Sequence, residues 1–157
     1  MNTASTTQVC LACYKDRLAS VCENADEYRL FDIRDNNIYP AGLLSLPSKD
    51  PMDRTSAILA CGVSFLLCGA ICARALSRLE AGGMTVIPWL SGEVDEVLRR
   101  FQDDSLLPLV MPGCLDAFHQ QCEKQVPAEA GLVEKVARQR RAARVREGKF
   151  RLFSSAI

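Results

Sequence analysis

Phe65-Leu66-Leu67-Cys68-Gly69-Ala70-Ile71-Cys72-Ala73-Arg74-Ala75-Leu76 is the stretch whose reading decides the fold. Its first residues are a short apolar run of strand length, broken at Cys68-Gly69. Beyond the break the pattern predicts a helix running to Gly82. A strand that runs into a helix leaves backbone N–H groups aimed at the space above the strand end, a place that favours anions. If the turn goes directly helical, Cys68 and Cys72 are four apart and share one face. Two soft thiol ligands at a helix N-terminus suit a thiophilic metal or a metal–sulfur anion.

The neighbouring segments supply the frame for that turn. Gln8 to Tyr14 reads as a strand, Lys15 to Glu27 as a polar connection holding Cys22, and Tyr28 to Arg34 as a second strand. Asp35-Asn36-Asn37 reads as a turn, because Asn and Asp tolerate left-handed backbone. Ile38 to Ser45 is the returning strand of a hairpin, with Pro40 placing it at an edge or a bulge. Asp50 and Pro51 announce a helix, as N-cap and first helical residue, and Gly62 closes it behind Cys61. Val63 to Leu67 is the buried strand, and Met84 to Ile87 is another, stopped by Pro88. Ser91 is the expected cap of a third helix, in which Val94, Val97, Leu98 and Phe101 fall on one face.

The order is therefore β-β-β-α-β-α-β-α, which predicts an α/β fold with a mixed five-stranded sheet flanked by helices. The first strand and the buried strand are expected to be parallel neighbours. In such sheets ligands sit beyond the carboxyl ends of the parallel strands. The α/β domain is expected over 8–104, and 105–157 is expected to be a helical extension. Within it, 106–114 reads as a loop or docked segment, Leu115 to Lys124 as a short helix, and Glu129 to Glu147 as a helix.

With 157 residues the chain is long enough for one domain with a real core, and 48% apolar residues fit a globular protein. The longest apolar run, Ala57 to Ala73, is interrupted by Gly62, Ser64 and Gly69, too short to span a bilayer. The N-terminus lacks the features of a secretory signal, so a cytoplasmic protein without membrane attachment is expected. The formal net charge is zero, but eight of nineteen basic residues and only two of nineteen acidic ones lie from Leu132 onward. The tail thus carries +6 and the body −6. The basic tail over 132–151 is read as a solvated helix or as a docking segment for an acidic protein partner. Nucleic acid is disfavoured, since no aromatics interleave the arginines before Phe150 and Phe153.

Several segments resemble the dinitrogenase iron–molybdenum cofactor biosynthesis family, small domains with a ribonuclease-H-like fold. Ala25-Asp26-Glu27-Tyr28-Arg29-Leu30-Phe31-Asp32-Ile33 resembles the passage from the family's Gly-Arg-Ala motif into its second strand. Gly62-Val63-Ser64-Phe65-Leu66-Leu67-Cys68-Gly69 is similar to its Gly-Val-Asp strand ending in Thr-Gly or Ser-Gly. Ala81-Gly82-Gly83-Met84-Thr85-Val86 and Gly92-Glu93-Val94-Asp95-Glu96-Val97-Leu98 resemble its Ala-Gly-Ile strand and its Gly-Thr-Val-Glu-Glu-Ala-Leu helix. The resemblance implies ribonuclease-H-like topology over about 8–104. It also implies a protein that binds or carries a metal–sulfur cluster, such as an iron–molybdenum cofactor precursor, without catalysis. The departures are instructive. Asn24 stands where the family has Arg, Cys22 replaces an aromatic, and Cys68 and Cys72 replace a Thr and a Gly.

Eight cysteines, at 10, 13, 22, 61, 68, 72, 114 and 122, suit metal or redox chemistry in a reducing compartment, with some serving as small core residues. The expected topology brings Cys13, Cys68 and Cys72 to one sheet end as metal ligands, with Cys22 beside them and the N–H groups of Gly69, Ala70 and Ile71 facing a cluster anion. Cys10 and Cys61 are expected to be core. Cys10 and Cys13 are not expected to share a metal, because strand positions i and i+3 face opposite sides. Cys114, His119 and Cys122 form a second candidate metal group. The sequence shows no Walker-type loop, no triad and no set of strand-end acids, so no enzymatic activity is expected. The expected cargo is a metal–sulfur cluster of iron and/or molybdenum, exchanged with cluster-delivery proteins. The alternatives are a regulatory interaction module of the same fold with core cysteines, and a thiol redox sensor at Cys68 and Cys72.

Overall fold

The computed structural model of the chain describes residues 6–124. Strand β1 spans Thr7–Tyr14, β2 Arg17–Leu18, β3 Glu27–Arg34 and β4 Asn37–Leu44. Helix α1 spans Pro51–Ala60, β5 Phe65–Leu67, α2 Ala73–Ala81, β6 Thr85–Ile87, α3 Val94–Gln102 and α4 Leu115–Lys124. The expected helix over 129–147 and the basic tail over 132–151 lie outside the described residues. Among the described residues no helix is long and apolar enough to cross a membrane.

The sheet is mixed, with strands in the order β4-β3-β1-β5-β6 and β2 paired to β1. It has six strands, not five. The extra strand lies in the stretch read as a polar connection, where a tight turn at Lys15, with φ of 57°, folds Arg17-Leu18 back on Cys13-Tyr14. Leu18 is buried, so one apolar residue anchors this short strand. β1 and β5 are parallel neighbours as expected, with Cys10 opposite Leu66 and Leu11 opposite Leu67.

Alternation along the central strands builds a core on each face of the sheet. Val9, Leu11 and Cys13 of β1 join Phe65, Leu67 and Ile87 under α3 and α4, whose Phe101, Phe118 and Cys122 complete that layer. Cys10 and Ala12 join Leu66, Cys68 and Val86 on the other face, under Ile58 of α1 and Leu79 of α2. The chain beyond 104 is thus, as far as it is described, integral to the same core. Leu106, Leu109 and Phe118 are all buried there.

Local chemistry explains most element ends. Asp50 caps α1 by accepting from the Met52 N–H at 3.1 Å, with Pro51 behind it. Asp35 and Asn36 have φ of 50° and 65°, the backbone of a two-residue hairpin turn. The register shifts between Leu30 and Phe31, which face Gly42 and Pro40, so a bulge follows Pro40 on the edge strand β4. Two helix starts differ from expectation. α3 begins at Val94, with Glu93 rather than Ser91 at the cap position and no side-chain cap. Here the main chain replaces the cap: the Val94 N–H donates to Asp16 O at 2.9 Å, and the Leu18 N–H donates to Gly92 O. α2 begins only at Ala73, after a five-residue connection from Cys68.

Candidate functional site

The carboxyl ends of β1, β5 and β6 meet at the connection 68–72. Its main chain is tied down on both sides. The Cys68 N–H donates to Ile87 O, the Leu90 N–H to Cys68 O and the Trp89 N–H to Gly69 O. On the other side the segment 19–24 lies across it. The Ala70 N–H donates to Ser20 O at 2.8 Å, and the Cys22 N–H donates to Ala70 O at 2.7 Å. Gly69 makes this approach possible, because a Cβ there would stand 2.5 Å from both Ala19 O and Ser20 O.

The covering segment is held from below by α1. Tyr28 Oη donates to Cys22 O at 2.7 Å. Arg54, almost fully buried, donates to Ala25 O at 2.6 Å, to Tyr28 Oη at 3.2 Å and to Ser48 O at 2.8 Å. Burial pushes the Tyr28 hydroxyl far above its usual range, so it remains a donor. At the far end of the segment the Glu23 carboxylate accepts from the Cys72 N–H at 2.9 Å. A carboxylate therefore already sits at the N-terminus of α2, where helix geometry favours negative charge.

The thiols divide by face. Cys68 is completely buried and in hydrogen-bond contact with Cys22, and that contact, followed by burial, pushes its thiol well above the ordinary range. Cys10 lies in the same apolar layer, and burial raises it likewise, with the nearby Cys22 adding to the effect. Cys13 lies on the opposite face, donates to Leu11 O at 3.4 Å, and is pushed up to about 11 by burial. Cys72 is exposed and caps α2, its Sγ accepting from the Ala75 N–H at 3.5 Å.

This placement corrects the expected convergence in two respects. Cys13 does not join Cys68, because the register sets Leu11 against Leu67, and residues two apart share a face. Cys10 occupies the expected place of Cys13. Cys68 and Cys72 share no helix face, because Cys72 is the residue before the helix. Among the expected anion-facing N–H groups, that of Ala70 donates to Ser20 O. Cys122 is buried under the sheet while Cys114 is half-buried at the start of α4. Among the described residues no three His, Cys, Asp or Glu side chains are placed to hold a metal ion together.

Four residues of this site carried no signal that the sequence reading used. Arg54 sits four before Ile58 on the inward face of α1, and that spacing could have marked it. Tyr28 and Glu23 act through long-range pairing. Trp89, half-buried, holds a left-handed backbone with φ of 70°, rare for a bulky residue.

Residues 9–104 match the family model described as dinitrogenase iron-molybdenum cofactor. The chain belongs to that family. Among solved structures it is similar to PH0822, with a TM-score of 0.57 and 18% identity over 64% of this chain and 92% of that one. It is similar also to the apo form of the orange protein from Desulfovibrio gigas, with a TM-score of 0.54 and 16% identity over 66% of this chain and 93% of that one. At such identities the likeness shows the fold. Among curated proteins none matches significantly. The dinitrogenase cofactor match spans β1 to the end of α3, and so includes the connection 68–72 and the segment that covers it.

Proposed function

We propose that the protein is a non-catalytic, cytoplasmic carrier of a metal–sulfur cluster containing iron and/or molybdenum. It holds the cluster at the connection 68–72 and exchanges it with cluster-delivery proteins during cofactor assembly. Family membership supports the cluster class. The observation that carries the site is the stacking of segment 19–24 on Gly69-Ala70, which brings the Cys22 thiol against Cys68 with Cys72 exposed just beyond. The strand order supports a ribonuclease-H-like topology, with β2 as an addition.

Segment 19–24 covers Cys68 at rest, and the contact with Cys22, followed by burial, pushes the Cys68 thiol well above its ordinary range. Loading therefore requires segment 19–24 to lift and the thiols to release protons, because the thiolate is the ligand form. Cys72 is the accessible first contact, and Cys68 and Cys22 become ligands after the segment moves. The N–H groups of Gly69, Ala70 and Ile71 then face the cluster. Cys13 stays in the opposite layer and takes no part.

The test is iron, molybdenum and acid-labile sulfide analysis, with an absorption spectrum, on protein purified without oxygen. Wild type is compared with Cys68→Ser/Cys72→Ser. Metal and visible bands present in wild type and lost in the double variant support the reading. Metal retained in the variant overturns the placement at 68–72, and no metal after attempted reconstitution overturns the carrier role. The depth of Cys10, Cys22 and Cys68 favours a second reading, a regulatory interaction module whose cysteines are packing residues. Failure to load, with those thiols titrating only after unfolding, would establish that reading.

A further inference from the structure

Two free thiols face each other across the boundary between the covering segment and the sheet. Cys22 lies on segment 19–24, and Cys68 directly follows β5. Both are buried in the layer under α1 and α2, with their side chains in hydrogen-bond contact. A disulfide needs two side chains that converge, and a pair of sulfurs already in contact meets that need.

The main chain fixes both partners. Val21 and Ala70 form a parallel bridge, the Ala70 N–H donates to Ser20 O at 2.8 Å, and the Cys22 N–H donates to Ala70 O at 2.7 Å. Tyr28 Oη holds Cys22 O from the other side at 2.7 Å. Cys68 is held at both ends, since its N–H donates to Ile87 O and its carbonyl accepts from the Leu90 N–H. The other thiols of known setting are placed differently. Cys13 lies in the opposite layer and donates to Leu11 O, while Cys72 is exposed and accepts from the Ala75 N–H.

We infer that Cys22 and Cys68 form a reversible disulfide when the chain meets a peroxide, and that this bridge locks segment 19–24 over the connection 68–72. Cys22 rides on the segment, so lifting the segment uncovers it. Its sulfur attacks one peroxide oxygen and the O–O bond breaks. The leaving oxygen takes the thiol proton and departs as water, and the sulfur is oxidised to a sulfenic acid. When the segment closes, the Cys68 sulfur attacks the sulfenic sulfur. The S–S bond forms, the S–O bond breaks, and the hydroxyl leaves with the Cys68 proton as a second water. A dithiol reductant reverses the bridge. In a reducing compartment such a bond is a transient, sensing one.

The bridge does not rest on the carrier reading, because it needs the two thiols and a peroxide and no cluster. The experiment treats the reduced full chain with a small excess of hydrogen peroxide, removes the peroxide with catalase, and alkylates and digests the denatured product. A peptide pair joined through Cys22 and Cys68, and absent after dithiothreitol, is the expected result. The urea midpoint of the bridged chain is expected to rise and to return on reduction, because the cross-link restricts the unfolded chain. Cys22→Ala is expected to give neither the pair nor the rise, and Cys13→Ala to give both. Both cysteines free in wild type while Cys72 is consumed, or a bridge from Cys22 to Cys10 or Cys72 in place of Cys68, overturns the inference. The peptide map of wild type decides this even if a variant folds poorly. A bridged chain with the midpoint of the reduced chain overturns the lock. A wild type that loads a cluster but forms no bridge overturns this inference alone, and one that forms the bridge but accepts no cluster when reduced overturns the carrier reading alone.

Discussion

A methyl group at position 69 has nowhere to go. Both atoms it would meet at 2.5 Å are main-chain carbonyl oxygens, and neither can rotate away as a side chain does. Gly69→Ala is therefore expected to lift segment 19–24 off the connection 68–72, at a stability cost of about 1–3 kcal/mol. The lifted segment uncovers Cys22 and Cys68. The checks are a urea midpoint and the rate of native thiol modification, which should rise severalfold. A variant with wild-type midpoint and wild-type thiol rate would show that the segment is not packed on Gly69. The sequence showed a break at Cys68-Gly69, but a break is all that one glycine signals. The reason for this glycine is a carbonyl from fifty residues earlier, and nothing local encodes that approach.

At the scale of elements, α1 serves as the clamp of the covering segment. Its start was readable, because Asp50-Pro51 is a local signal and the cap bond forms as expected. Its role was not readable, because Arg54 contacts Ala25 and Tyr28 across the chain. Arg54→Ala leaves Ala25 O and Ser48 O without these donors and opens space beside Tyr28. The expected loss is about 2–4 kcal/mol, measured by chemical denaturation. A loss under about 1 kcal/mol would mean that the cost of burying the guanidinium already offsets its bonds. The same contrast between local and distant signals runs through the other elements. The hairpin, the parallel pairing of β1 with β5, and the buried face of α3 follow from turn residues and periodicity. β2 and the start of α3 escaped, because they stabilise each other through main-chain bonds between Asp16-Leu18 and Gly92-Val94. The thiol set was half legible. Strand-end position placed Cys22 beside Cys68, which share one buried layer, but that Cys10 and not Cys13 lies in that layer needs the register, and a slip of one residue exchanges the two.

For the molecule as a whole, the buried thiols make stability depend on alkaline pH. Cys10 and Cys68 are raised well above an ordinary thiol value of 9.0, and Cys13 is raised from 9.0 to about 11. Burial is the largest cause at Cys10 and Cys13, and the contact with Cys22 is the largest at Cys68, with burial next. Below pH 9 the folded and unfolded chains hold these protons equally, so the contribution to stability is fully present. Above pH 9 the unfolded chain ionises its thiols while the folded chain keeps them neutral. The unfolded state then binds fewer protons, and unfolding becomes easier as pH rises. For Cys13 the loss runs from about pH 9 to about pH 11, where the folded thiol also ionises. The urea midpoint of reduced protein, measured under argon, is expected to be flat from about pH 7 to 8.5 and to fall steadily across that window. Cys13→Ala should make the fall shallower, since it deletes one of the protons the folded state retains. A midpoint that stays constant to pH 11, or a slope unchanged in Cys13→Ala, would show that these thiols are not shielded as the two-layer core requires. The same protonation opposes metal capture at rest, so a chain that carries a cluster must open before its deepest thiols can bind it.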